Sequence, residues 1–205
     1  MIQHVGEAIV LRTWPFHEAD LLVSLFTREQ GKVKGVARHA MKSRRRFGGA
    51  LEPMTHVRAS YAEKPRQELV RLDSFEILSS PMSRPVDYAR TAALQLVAEV
   101  LEDAMPEGAP EDAVFRLALA VLDELQVGKV WMPVTYFALW MNRLMGWMPE
   151  LGHCVACGLD LRGGTVKGLA EEDWPKTHAA DLRRFAIEVL ERLLEGRLMT
   201  ARVLR

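Results

Sequence analysis

Cysteine is nearly absent from this sequence. Its 205 residues include only Cys154 and Cys157, too few and too close together for a disulfide framework and compatible with a reducing compartment. Long apolar segments are missing as well. Residues 114–125, for example, are interrupted by Arg116 well short of the roughly 18 residues that a membrane helix needs. The first residues do not resemble a secretory leader either, so we expect a cytoplasmic protein with no membrane partner.

The sequence signatures of catalysis are also missing. The chain has no GxGxxG, GxxxxGK[ST], HExxH or GxSxG segment, and no carboxylate cluster typical of a metal-dependent nuclease. The acidic run from Glu171 to Asp173 is better explained as a solvated loop, because consecutive residues do not face one site in a helix or strand. The sequence therefore predicts no catalytic residues and a protein that is not an enzyme, with a metal-dependent enzyme left open as an alternative.

What the sequence does contain is a dense basic segment. The chain is neutral overall, with 27 basic and 27 acidic residues, but residues 28–46 hold eight Lys or Arg against the single acid Glu29. Concentrated cations attract phosphates, so a nucleic-acid-binding surface is the first hypothesis. A solvated basic loop without a partner is the alternative. The cations are Arg28, Lys32, Lys34, Arg38, Lys42, Arg44, Arg45 and Arg46.

The two parts of the chain differ in charge and in periodicity. Residues 1–80 carry 13 basic and 9 acidic residues, whereas residues 81–205 carry 14 and 18. The first part contains five short β-prone runs separated by turns, which is typical of a small barrel or sandwich. The second part repeats apolar residues at helical steps in four segments. The predicted strands are 5–14, 21–27, 32–38, 56–61 and 68–77, and the predicted helices carry their apolar stripes over 94–105, 114–125, 137–144 and 182–193.

The change of period near Pro81 predicts a domain boundary. Ser83 is a candidate cap for the first helix, with Pro85 in its first turn. Pro133 is a helix breaker that precedes the third helix, and Gly196 is a plausible end for the last one. We therefore predict an α+β protein with a β-domain over residues 1–80 and a helical domain over residues 81–205.

The basic segment begins in a predicted strand. Because side chains alternate between the two faces of a strand, Lys32, Lys34 and Arg38 fall on one face, while the small residues between them point the other way. Such a face could lie along a phosphate backbone, and Lys42 and the triplet Arg44 to Arg46 extend it into the next loop. A solvated strand face that deters edge pairing is the alternative.

Aromatic residues near this segment are candidates for stacking on unpaired bases. Phe47 directly follows the arginine triplet, and Gly48 and Gly49 behind it would allow a ligand to approach the backbone. The alternative for Phe47 is a plug that closes the end of the barrel. Trp14, Phe16 and Tyr61 are further candidates, with packing in the core or at the rim as the alternative.

The two cysteines form a CxxC pair within the sequence His153 to Gly158. Such a pair supplies two of the four ligands of a structural zinc site. The chain has no second CxxC, so a complete site would need other ligands such as His153 or His178. A redox dithiol would require a βαβ pattern, which the sequence does not show. We interpret the pair as the remnant of a zinc knuckle near residues 152–176, and we expect no cofactor.

Several blocks of the sequence together resemble the bacterial RecO family of recombination mediators. They are EAIVLRTWPFHEADLLVSLFTREQGKVKGVARHAMKSRRRFGGALEPM, the β-to-helical transition near Pro81, MNRLMGWMPELGHCVACG and the closing GRLMTARVLR. The resemblance implies an N-terminal OB-fold barrel, a helical domain and, in many members, a four-cysteine zinc finger. The first zinc pair of the family falls on Cys154 and Cys157, and the second has no match here.

The resemblance also implies a function. Members bind single- and double-stranded DNA, anneal complementary strands and, with RecR, help the RecA recombinase onto DNA coated by single-stranded-DNA-binding protein (SSB). The helical half is then expected to dock the acidic C-terminal tail of SSB. A protein-interaction adaptor and an RNA-binding OB-fold protein are the alternatives from other classes. The expected DNA-binding residues are Lys32, Lys34, Arg38, Lys42, Arg44, Arg45, Arg46 and Phe47.

Overall fold

The structure is a computed structural model, and it describes residues 1–42, 46–83, 87–127, 130–148, 176–194 and 198–201. All five predicted strands form, and most extend beyond their predicted bounds. The strands are β1 (Ile2–Phe16), β2 (Asp20–Thr27), β3 (Gly31–Ala37), β4 (His56–Glu63) and β5 (Val70–Ser79).

The strands close into a barrel in the order β1-β2-β3-β5-β4. Every neighbouring pair is antiparallel except β3 and β5, which run parallel through three residue pairs from Gly35↔Val70 to Ala37↔Leu72. A five-stranded barrel of this kind is an OB-fold, in which the face of the second and third strands and the β1–β2 and β4–β5 loops form the usual ligand-binding side. The pairing of β3 with β5 therefore brings the basic strand beside the β4–β5 loop.

Four α-helices follow the barrel within the ranges that the structure describes. They are α1 (Tyr88–Ala104), α2 (Asp112–Val127), α3 (Trp131–Leu144) and α4 (Lys176–Leu193). The prediction that Ser83 caps α1 is wrong, because Ser83 lies in a short 3-10 turn and the cap is Asp87, which accepts a hydrogen bond from the Arg90 backbone N–H at 2.7 Å. Pro133 lies inside the first turn of α3, where a missing N–H breaks no helical bond.

The barrel and the helices share a core through β1. Ala8 and Val10 point into the barrel, whereas Ile9 and Leu11 point outward and are buried among the helices. Phe26 of β2 is buried in the same helical core as Ile9 and Leu11. Because side chains alternate between the two faces of a strand, β1 contributes residues both to the barrel core and to the helical core. The predicted α+β class is confirmed, and the outward side chains of Ile9, Leu11 and Phe26 are buried because the helices cover them.

None of the helices in the described ranges combines the length and apolarity that a membrane crossing requires.

Candidate nucleic-acid interface

The first half of β3 faces the helices. Lys34 forms a 2.8 Å ion pair with Glu107, and the Lys32 ammonium donates a hydrogen bond to the backbone carbonyl of Glu102. The backbone of Lys32 also pairs with the α1–α2 connector, donating to Pro106 at 3.3 Å and accepting from Gly108 at 3.2 Å. The alternation predicted for this strand is present, but the face that carries these two lysines is occupied by the protein's own connector.

The electrostatics of this contact favour the charged forms of both partners. The hydrogen bond from Lys34 lowers the pKa of the Glu107 carboxyl, and the same bond raises the pKa of Lys34. Nearby, Arg28 forms a 2.7 Å ion pair with Asp112, and its hydrogen bond lowers the pKa of that carboxyl. Of the six cations of the basic segment that the structure describes, three therefore have partners in the helical half.

The far end of β3 has a different environment. Arg38 follows the strand directly and lines an open groove of about 490 Å³ beside the β4–β5 loop. Lys64, Arg66 and Arg71 line the same groove, and among the described residues that line it Glu68 is the single acid. Arg38, Lys64 and Arg66 are exposed and form no ion pair with any residue that the structure describes. Such an excess of uncompensated positive charge attracts polyanions.

Arg71 is the one groove cation with a partner on its own strand. It forms a 2.8 Å ion pair with Asp73, which also accepts a 2.9 Å hydrogen bond from Gln3. Burial raises the pKa of Asp73, but the hydrogen bonds from Arg71 and Gln3 outweigh it and the pKa is lowered. Asp73 therefore stays ionised and holds the Arg71 guanidinium at the groove wall.

Gly35 explains why the barrel can close at this point. A Cβ on Gly35 would lie 2.7 Å from side-chain atoms of Leu72 and Val70, closer than real Cβ contacts. Glycine therefore leaves room for these two side chains where β3 pairs with β5. The pairing places Arg38 at the end of β3 next to Arg71 and the β4–β5 loop, which creates the groove.

Phe47 does not present a stacking surface. Its side chain is only 2% exposed and packs edge-on against Phe75 with ring centroids 5.5 Å apart. Arg46 lies over the outer side of the ring, 5.2 Å from its centroid, and donates a hydrogen bond to the backbone carbonyl of Arg38. This burial disagrees with the predicted contact between Phe47 and a base. The position of Phe47 fits the alternative, in which it closes the end of the barrel.

The remaining predicted residues fall into two groups. Lys42 is exposed at the end of the 3-10 turn Ala40–Lys42, and Arg46 is half-buried beside Phe47. Arg44 and Arg45 lie outside the described residues, as do Cys154 and Cys157. Within the described ranges, no three His, Cys, Asp or Glu residues are grouped so that they could hold a metal ion.

Sequence reasoning missed Lys64, Arg66 and Arg71. These cations are spread over eight residues that also contain Pro65 and Glu68, so their local density is unremarkable. The available signal was the placement of Lys64 and Arg66 in a turn between two predicted strands. In an OB-fold that turn belongs to the ligand-binding side.

The barrel, the basic groove at the end of β3 and the shared core define the class of the protein. It is an α+β protein in which an OB-fold barrel is built onto a helical bundle.

Comparisons with known proteins identify the family. Residues 1–81 match the family described as Recombination protein O N terminal, and residues 85–202 match Recombination protein O C terminal. The DNA repair protein RecO of Koribacter versatilis (strain Ellin345) is 52% identical over 236 aligned positions, which cover 97% of this chain and 97% of that protein. The chain belongs to the RecO family of DNA repair and recombination proteins.

More distant relatives match over a shorter region. The DNA repair protein RecO of Anaeromyxobacter sp. (strain K) is 37% identical over 78% of this chain and 63% of its own length. That of Syntrophobacter fumaroxidans (strain DSM 10017 / MPOB) is 35% identical over the same shares, 78% and 63%. The aligned part is therefore a little under two thirds of these two relatives.

Proposed function

We propose that the chain is a recombination mediator that binds single- and double-stranded DNA through the groove at the end of β3. The observation that carries the proposal is the set of groove cations, Arg38, Lys64, Arg66 and Arg71, which outnumber the two nearby acids, Glu68 in the lining and Asp73 beside Arg71. Phosphates are the groups that such a cluster attracts. The family membership and the names of the relatives, DNA repair protein RecO, support DNA as the polyanion.

The proposed mechanism requires no covalent chemistry. Cations on the barrel neutralise phosphates on two strands and reduce the repulsion between them, and complementary strands then anneal by base pairing. Lys42, Arg44, Arg45 and Arg46 extend the proposed surface beyond the groove. Lys32 and Lys34 play a smaller part in it, because Glu102 of α1 holds the ammonium group of Lys32 and Glu107 of the α1–α2 connector holds that of Lys34.

The same proposal assigns a task to each part of the chain. The barrel domain, residues 1–80, binds DNA, and the helical domain, residues 81–205, recruits the partners that the family resemblance implies. Those partners are RecR and the acidic tail of SSB, and their task is to assist the loading of recombinase. Pull-down of purified RecR and of an SSB-tail peptide by the intact chain would test this assignment directly.

The DNA proposal is tested with matched charge variants. One variant carries Arg38→Gln, Lys64→Gln and Arg66→Gln, and its control carries Arg58→Gln, Arg116→Gln and Arg184→Gln. The control cations are exposed and lie outside the groove, in ion pairs with Glu76, Asp112 and Asp181. Both variants lose the same charge, so a difference between them reports position and not net charge.

We expect the groove variant to lose most of its affinity for fluorescent DNA and most of its annealing rate, while the control retains both. The slope of log affinity against log salt should fall in magnitude by about 2 in the groove variant on single strands, at roughly 0.7 per phosphate contact. Equal affinities of the two variants, both correctly folded by circular dichroism, would refute the groove as the DNA site.

A further inference from the structure

The groove is lined by charged and by apolar side chains, which we call its rim and its floor. The rim consists of the four cations, and the floor consists of Phe16, Val36, Leu69 and Val70. A floor of this kind does nothing for a phosphate. It offers burial to a flat apolar surface, and the face of a nucleobase is such a surface.

The floor distinguishes between two forms of DNA. In a duplex the bases are stacked on one another and a protein meets phosphates, sugars and base edges. In a single strand the base faces are free and can stack on aromatic side chains, while the backbone follows a basic surface. Cations alone would accept either form, but apolar side chains that line the same groove add contacts that only unpaired bases can use.

Phe16 is the aromatic residue of this floor. It ends β1 opposite Asp20 and is half-buried, with the neighbouring His17 ring edge-on at a centroid distance of 4.3 Å. Two other aromatic candidates are too buried to stack on a base, because Phe47 is 2% exposed and Tyr61 is 4% exposed. Trp14 is not among the residues that line the groove.

We propose that the groove takes unpaired bases of single-stranded DNA and that Phe16 stacks on one of them, so that the site prefers single strands to duplex. This inference rests on the proposed DNA-binding function. It adds a specificity-determining residue to the cations, and it assigns base contacts to Phe16 in place of Phe47.

The test combines a side-chain change with a change in the DNA. Phe16→Leu keeps an apolar side chain and removes the ring, and Phe16→Tyr keeps the ring. The intact chain is titrated with three fluorescent probes of equal length: a single strand, the same strand with several abasic positions, and the duplex. Each titration is repeated at several salt concentrations.

We expect Phe16→Leu to weaken single-strand binding roughly 5-fold or more, the lower end of the effect of removing a stacking aromatic. Duplex binding should stay within about 2-fold, and Phe16→Tyr should bind like the parent on all three probes. The parent should bind the abasic strand more weakly than the intact strand. Phe16→Leu should also lower the affinity for the abasic strand, but by a smaller factor than it lowers the affinity for the intact strand. The salt slope should be unchanged, because the ring contacts no phosphate.

Three results would overturn the inference. They are an unchanged affinity of Phe16→Leu for single strands, an equal loss on single strands and duplex, and a parent that binds abasic and intact strands equally well. The last result uses the parent alone, so it holds even if Phe16→Leu folds poorly. None of them refutes the DNA site itself, which fails only if the groove cations prove dispensable.

Discussion

Lys34 and Arg38 lie four residues apart in one basic segment, yet their surroundings are opposite. Lys34 is held at 2.8 Å by Glu107, on the side of the barrel that the helices cover. Arg38 is exposed beside a groove in which four cations meet a single acid. The comparison teaches that a charge run in a sequence identifies a basic strand but does not say which of its cations are available. The rest of the fold decides that, by covering one end of β3 and leaving the other open.

The covered end should depend most on Phe115. Its ring packs against Phe26 with centroids 5.6 Å apart and is completely buried between barrel and helices. Phe115→Ala should lower the free energy of unfolding by about 3 to 5 kcal/mol, as removal of a buried aromatic does. Denaturant unfolding measures the loss, and Phe115→Leu should cost clearly less. A loss below about 1 kcal/mol would mean that the two halves do not share this core.

Gly31 provides a second way to disturb the covered end. Its φ is +65°, and a Cβ there would lie 2.0 Å from the carbonyl oxygen of Ala109 in the α1–α2 connector. Gly31→Ala should therefore cost more than Gly48→Ala, since Gly48 has a φ of +50° but nothing within 4 Å of its Cβ position. Strain of the backbone costs about 1 to 3 kcal/mol in both variants, and the clash adds to it only at Gly31. Equal melting temperatures of the two variants would contradict the docking of the connector on β3.

The two ends of β3 are compared directly by equal charge changes. Lys32→Gln with Lys34→Gln removes two positive charges from the covered end, and Arg38→Gln with Arg66→Gln removes two from the groove. The groove pair should reduce the salt slope of single-strand binding by roughly 1.4 in magnitude, at about 0.7 per contact, and the covered pair should reduce it by clearly less. Identical slopes for the two double variants would show that the connector does not sequester the lysines.

The smallest effect is expected from the Lys34–Glu107 pair itself. The Glu107 side chain is 62% exposed, so Glu107→Gln should change the free energy of unfolding by less than about 1 kcal/mol. The pKa of Glu107 is lowered in the folded protein, so its contribution is complete above the ordinary value of 4.5 and is lost as the pH falls below it. The test is to measure the free energy of unfolding of parent and variant from pH 3 to pH 7. The two proteins should differ near pH 7, and the difference should disappear toward pH 3.

The strands and helices could be predicted because their signals are local. Alternation, turn residues and helical spacing depend on neighbours in the chain, and they gave five strands and four helices that the structure contains. It was also predictable that Lys32 and Lys34 lie on the same face of β3. The segment that covers this face was not predictable, because the pairing of Lys32 with Glu107 joins residues far apart in the sequence.

The groove could not be predicted for the same reason. It depends on the parallel pairing of β3 with β5, which brings Val36 next to Arg71, and on the close approach that Gly35 allows. The burial of Phe47 likewise depends on Phe75, which lies in a different strand. The sequence therefore indicated a basic surface on the right strand, and its position along that strand required the tertiary contacts.

Because β1 contributes to both the barrel core and the helical core, the barrel cannot be cut from the helices without exposing part of a core. A fragment that ends near residue 80 would expose Ile9, Leu11, Phe26 and Met54, all of which are at most 2% exposed in the intact chain. Such a fragment presents these large apolar side chains to solvent and should self-associate. Apparent DNA binding by that fragment would then mix the affinity of the groove with the avidity of an aggregate, so the groove is best measured in the undivided chain.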